Sequence, residues 1–278
     1  MAAALMRGDT QAAAQLAAAA DDAQAYRLAL RACRKDTVYR QAYARQRVLP
    51  AASAASSFEM PIPGPVPNAC AALTLERLEV LEPNDAWPWL VRLNDSAAQA
   101  DQAGIDNALY QLAQRARSPA QVRALSGIVA EVVGPEPTPG ETMALMNAVG
   151  VDMASLWDGS LSGVLRVCRG AALNDANRRQ LCEQAARRAP GMVTEVFDAG
   201  QLHRLEEGLG LPHSPQALSR VDADRAIKAM SEENKHTQQP FSCAGVSGMG
   251  RQVMMLARLG ELNWARAYLK AAPASAAR

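Results

Sequence analysis

Wherever apolar residues recur with a clear period in this chain, the period is that of a helix. Ile105, Ala108, Leu109, Leu112, Ala113 and Ala116 fall at i, i+3, i+4, i+7 spacing, which draws one stripe down a helix. Val122, Leu125, Ile128, Val129, Val132 and Val133 repeat the pattern. So do Leu181, Cys182, Ala185, Ala186 and Ala189, and Ala223, Ala226, Ile227 and Met230. No run alternates as a half-buried strand does. Alanine is about a fifth of the chain and aromatics only 4%, so the helices are expected to close through small side chains. The expected class is all-α: an array of helix hairpins, as a solenoid or an irregular bundle.

The chain has 278 residues, 49% of them hydrophobic and 21% charged, enough for a sizeable core and unlike a disordered segment. A net charge of +1 argues against a nucleic-acid partner, because neutralising phosphates needs an excess of cations. No window holds 18 uninterrupted apolar residues, so no transmembrane segment is expected. The opening "MAAALMRGDTQAAAQLAAAADD" lacks a basic region followed by a leucine-rich core. The chain is then either cytoplasmic or begins after a removed leader. The expected division is 1–133, N-terminal hairpins carrying a long loop at 49–69, and 134–278, a helical region packed as one continuous unit.

The breaks between stripes carry helix punctuation. Ser118-Pro119 reads as an N-cap with a first-turn proline. Thr138 followed three residues on by Glu141 reads as a capping box. Asn174-Asp175 caps the helix of Cys182, and Pro190-Gly191 ends it. The connection 49–70 is different. Its prolines at 50, 61, 63, 65 and 67 keep it extended. Phe58, Met60, Ile62 and Val66 are too apolar for a free linker, so an ordered loop laid across helices is expected, a candidate for partner contact.

Trp87 and Trp89 flank Pro88 in "LEPNDAWPWL", residues 81–90. Asp85 is placed as the N-cap and Pro88 in the first turn. Two residues apart on a helix the indoles point about 200° apart, so packing is expected rather than one aromatic cage. "EPNDAWPWLVRLNDSAAQADQAGIDNALYQLAQRA" resembles a degenerate tetratricopeptide-type helix pair. The resemblance rests on the proline-acid turn, the tryptophan of the first helix and the "GIDNA" opening of the second. It covers about 35 residues, one repeat length. It implies a curved array of helix hairpins and a protein-binding role.

Five cysteines, Cys33, Cys70, Cys168, Cys182 and Cys243, show no metal-ligand spacing, and no metal or cofactor is expected. Cys33 with Cys70 would clamp the proline-rich loop, contributing on the order of 4 kcal/mol by the chain-entropy argument. Cys168 with Cys182 would staple the turn between two helices for on the order of 3 kcal/mol. Both pairs bracket connections, so a periplasmic or otherwise exported protein is expected. Five reduced cysteines in a cytoplasmic chain is the alternative.

"CAGVSGMGRQ", 243–252, comes nearest to an enzyme motif. The nucleophile elbow around Ser247 fails because Met249 stands where glycine is required and no strand precedes it. The stretch is expected to be a glycine-rich turn. His203, His213 and His236 are isolated in sequence, and the acid pairs Glu206-Glu207, Asp222/Asp224 and Glu232-Glu233 read as solvated helix faces. The one basic concentration, 26–47, interleaves Arg and Lys with Tyr26, Tyr39 and Tyr43, and Tyr and Arg often dominate interfaces. The expected function is therefore non-enzymatic: binding a partner protein, as an immunity-type inhibitor or a scaffold. The surface offered is Tyr39, Arg40, Tyr43, Arg47, Phe58, Met60 and Ile62. The alternative is a hydrolase with a site near Ser247, His236 and Glu233.

Overall fold

The computed structural model describes residues 1–48, 62–115, 125–154, 160–235 and 243–271. Every regular element among them is helical, with fourteen α-helices. None is long and apolar enough to cross a membrane. The chain divides into two compact units, Met1–Leu81 and Glu82–Arg278.

The first unit holds α1 (Ala2–Met6), α2 (Thr10–Ala18), α3 (Ala23–Val48), a 3-10 turn (Asn68–Ala72) and α4 (Leu75–Leu81). Asp9 starts α2 by accepting from the Ala12 backbone N–H at 2.9 Å. All three buried residues of α2 are alanines, Ala13, Ala14 and Ala17. Side chains this small let α3 and the 3-10 turn lie close against α2. The heavier interior comes from Tyr26, Leu28 and Leu30 of α3, with Leu73 and Leu78. The Tyr26 hydroxyl accepts from Thr74 N–H at 2.8 Å and donates to the Ala72 carbonyl at 3.4 Å. Cys33 of α3 is bonded to Cys70 in the 3-10 turn.

The second unit runs α5 (Trp87–Gln99), α6 (Gln102–Gln114), α7 (Leu125–Val132), α8 (Pro139–Ala154), α9 (Ser162–Val167), α10 (Ala176–Arg188), α11 (Val196–Leu209), α12 (Arg220–Lys235), α13 (Cys243–Leu259) and α14 (Glu261–Ala271). A principal core gathers the apolar faces of α5, α6, α9, α10, α11, α12 and α14. A satellite of Ala130, Val133, Leu145 and Met254 joins α7, α8 and α13. Helices α5 and α6 form the hairpin in the tetratricopeptide-like stretch. Ala100 takes the left-handed conformation, φ 55°, at the end of α5. Asp101 then caps α6 through Gly104 N–H.

Helix α6 next meets α10, where Arg178, itself buried, donates to Asp106 at 2.7 Å and to Gln102 at 3.1 Å. Cys168, just past α9, is bonded to Cys182 in α10. The intervening 3-10 turn Gly170–Asn174 tucks Leu173 inward and its carbonyl accepts from Arg179. Asp175 caps α10 through Arg178 N–H, and a 3-10 turn through Pro190-Gly191 ends it. Both disulfides join the cysteines paired from the sequence.

The Thr138–Glu141 capping box forms. Thr138 N–H donates to the Glu141 carboxylate at 2.8 Å, and Glu141 N–H donates back to the Thr138 hydroxyl at 3.4 Å. The bonds from the Thr138 backbone, then from its hydroxyl, hold the Glu141 carboxyl below the ordinary carboxylate range. Thr138→Ala is expected to cost about 1 kcal/mol of α8 stability and to move the Glu141 titration upward. Calorimetry and carboxyl NMR titration check the two effects separately. The Ser118-Pro119 cap lies outside the described residues.

One expectation is corrected here. The glycine-rich 243–252 stretch is helical backbone, with α13 beginning at Cys243. Gly250 serves contact rather than turning. A Cβ built on Gly250 would stand 2.6 Å from Thr142 Oγ1 and 3.0 Å from Pro137 Cγ. The bare backbone is what lets α13 lie directly on α8.

Candidate partner-binding surface

The last described part of α3 continues past the point where the first unit's interior ends. From Arg34 to Arg45 no side chain is fully buried. Asp36, Tyr39, Arg40 and Tyr43 make one half-buried stripe at helical spacing. Arg40 pairs with Asp36 at 2.6 Å. Its guanidinium also donates to the carbonyls of Gly64, at 2.7 Å, and Pro65, at 2.8 Å. Proline cannot donate a backbone N–H and glycine brings no side chain, so this segment offers carbonyls that a fork-shaped cation can grip. Five residues on, Ala69 N–H donates to the Gln11 side chain at 3.0 Å, and Cys70 is bonded to Cys33. Residues 62–70 therefore form a strap pinned at Arg40, Gln11 and Cys33.

Pinning leaves two apolar residues outward. Ile62 is 83% exposed and Val66 67%. Of the residues singled out for partner contact, Tyr39, Arg40 and Tyr43 share the α3 stripe and Ile62 stands on the strap that Arg40 holds. Tyr39 and Tyr43 make contacts of their own. Phe58, Met60 and the side chain of Arg47 lie outside the described residues.

The tryptophans are interior. Trp87 and Trp89 are buried, and Trp89 belongs to the principal core. Asp85, also buried, accepts from Trp87 N–H at 3.0 Å. Arg92 and Arg115 place their guanidinium carbons 5.2 and 4.8 Å from the centre of the Trp89 ring, within cation–π range.

The second unit brings together ionisable groups that sequence reading left apart. Asp198 of α11 accepts from Leu161 N–H, at the start of α9, at 3.0 Å. Glu261 of α14 accepts from Val196 N–H, at the start of α11, at 3.1 Å. Each carboxylate thus caps a helix other than its own, a relay from α14 to α11 to α9 that no local sequence signature announces. Burial pushes the Asp198 carboxyl up to about 6, opposed by the Leu161 hydrogen bond and helped by nearby Glu261. Burial likewise raises Glu261, against the bond from Val196.

Further along, Gly210 adopts φ 67° and turns the chain back at the end of α11. His213 thereby stacks on His203 with ring centres 3.9 Å apart. Its Nδ1 lies 3.5 Å from a Glu206 oxygen that also accepts from Ser214 N–H at 3.0 Å. Two sequence expectations are corrected: His203 and His213 are neighbours, and Glu206 is buried rather than solvated. Glu207 and Asp224 are exposed, and Asp222 caps α12 with Ser219. No group of three His, Cys, Asp or Glu among the described residues is arranged to hold a metal.

The backbone at Ser247 is inside α13 rather than at a strand-to-helix turn. Its side chain, those of Glu232 and Glu233, and the whole of His236 lie outside the described residues.

Fold and surface together define an all-α protein of two helical units, each carrying one disulfide. No family model, no curated protein and no solved structure matches the chain.

Proposed function

We propose that the chain is a non-enzymatic protein-binding module whose working face is the half-buried stripe of α3 together with the strap. The observation that carries this reading is the strap itself: fixed by a disulfide and by Arg40, it holds Ile62 and Val66 in solvent, and the α3 stripe that grips it also carries Tyr39 and Tyr43. A rigid apolar rim with Tyr and Arg neighbours is the composition from which interface hot spots are drawn. The likeness of 82–116 to a tetratricopeptide hairpin supports the same role. Two bridged cysteine pairs favour an oxidising, exported setting such as the periplasm.

The partner's facing surface is acidic. On the α3 surface Arg34, Lys35 and Arg45 are at least part-exposed, whereas the single acid of the helix, Asp36, is paired with Arg40. Whether the partner is a toxin held inactive, as an immunity-type inhibitor would require, or a component of a scaffold, the contact is the same.

Ile62→Glu and Val66→Glu test the reading, because neither side chain supports the interior. Wild type immobilised under non-reducing conditions is expected to retain a partner from host extract. The double variant is expected to bind it at least about thirtyfold more weakly, as loss of a ~2 kcal/mol hot spot implies, with an unchanged melting temperature. Equal retention by both proteins would remove the strap from the interface.

A further inference from the structure

The two disulfides sit in very different surroundings, and we propose that Cys33–Cys70 is a redox latch: a dithiol reductant opens it selectively, and the first unit is folded and competent for its partner only while it is closed. Partner competence rests on the binding reading above; the latch does not.

Exchange starts when a thiolate reaches a disulfide sulfur. Cys33 is buried, but Cys70 is part-exposed, in a 3-10 turn with no buried residue. Cys168 and Cys182 are both buried, the latter completely. The incoming thiolate therefore attacks Cys70 Sγ. A mixed disulfide forms there as the bond to Cys33 breaks, and Cys33 leaves as a thiolate that takes a proton from solvent. The reductant's second thiolate attacks its own sulfur in the mixed disulfide, releasing Cys70 and leaving the reductant as a disulfide. Two electrons pass from the dithiol to the protein.

What remains after opening is thin. The strap keeps the Arg40 bonds to Gly64 and Pro65, the Gln11 bond to Ala69 and the Tyr26 bonds to Ala72 and Thr74. None of these lies in a fully buried setting, and such bonds exchange readily for water. Beneath them α2 buries only alanines, and the unit's larger buried apolar side chains are Leu5, Tyr26, Leu28, Leu30, Leu73 and Leu78, few against the principal core of the second unit. The bridge joins residues 37 apart in sequence, so its loss frees a long loop, whereas Cys168–Cys182 spans 14 within the principal core.

The test is a dithiothreitol titration of the full chain, with differential alkylation and hydrogen exchange read on the same samples. Cys33 and Cys70 are expected to be labelled at dithiothreitol concentrations at least about tenfold below those that expose Cys168 and Cys182, taking rate to follow access. Amide protection is expected to vanish over α2 and α3 while α10 and α11 stay protected. Cys33→Ser with Cys70→Ser should reproduce that loss without reductant, and Cys168→Ser with Cys182→Ser should leave α2 and α3 unchanged. Opening of Cys168–Cys182 at the same or lower concentration overturns the proposal, as does full protection of α2 and α3 once Cys33 and Cys70 are reduced. If protection vanishes but Ile62-dependent capture survives, the latch stands and the binding reading fails.

Discussion

Trp89→Ala is expected to lower the unfolding free energy of the Glu82–Arg278 unit by about 3–5 kcal/mol, the range for truncating a buried aromatic. The indole is buried in the principal core that α5 and α6 share. Its loss opens a cavity where α5 and α6 meet. It also removes the ring under Arg115, whose Nε donates to the Pro83 carbonyl at 3.2 Å and whose Nη1 donates to the Gln111 side chain. The start of α5 and the end of α6 thus loosen together. The indole N–H has no hydrogen-bond partner among the described residues. Trp89→Phe therefore forfeits volume and weakens the cation–π contact but relieves a buried donor, and is expected to cost under about 2 kcal/mol. Denaturant unfolding followed by circular dichroism compares the two. Similar losses for Phe and Ala would mean that filling the core is not what Trp89 does.

The second large effect is a stability that falls as pH rises. Asp198 is held at about 6 against an ordinary 3.8, so the folded state binds its proton more tightly than the unfolded chain does. Its contribution is fully present below 3.8 and is lost as pH climbs through about 6. The change is on the order of 3 kcal/mol, and Glu261, raised for the same reason, acts in the same direction. Asp198→Asn keeps an oxygen for Leu161 N–H without the charge. It is expected to raise the melting temperature of the second unit at pH 7.5 and to flatten its pH dependence between 4 and 7. A variant no more stable at pH 7.5, with the slope intact, would show that the Asp198 carboxyl is not the source.

These two sites mark where sequence reading ends. The helices were legible because most bury one stripe, and the stripe is a local pattern, although Val132 and Ile227, read into such stripes, are exposed. The Thr138–Glu141 box and the Asp175 cap were legible because a cap needs only its own first turn. Both disulfides could be paired because each bracketed a connection that had to be closed. Asp198 and Glu261 were invisible: each caps a helix distant in sequence, and a buried acid on a helix looks in sequence like a solvated one. His213 reaches His203 only because Gly210 turns the chain back. At 243–252 glycine spacing suggested a turn, whereas close approach of α13 to α8 was the reason for at least Gly250. On the candidate surface the Tyr39–Arg40–Tyr43 stripe was legible from its period. Arg40's grip on the strap was not, because its acceptors are backbone carbonyls that every residue possesses.

The account depends on a strap covalently held to α3, and peptide mapping of the native, unreduced protein tests that directly. Digestion after thiol blocking should yield two linked peptide pairs, one joining Cys33 to Cys70 and one joining Cys168 to Cys182, with Cys243 carrying the only alkyl label. Label on Cys33 and Cys70 before any reductant is added, or either of them joined to another cysteine, would contradict it.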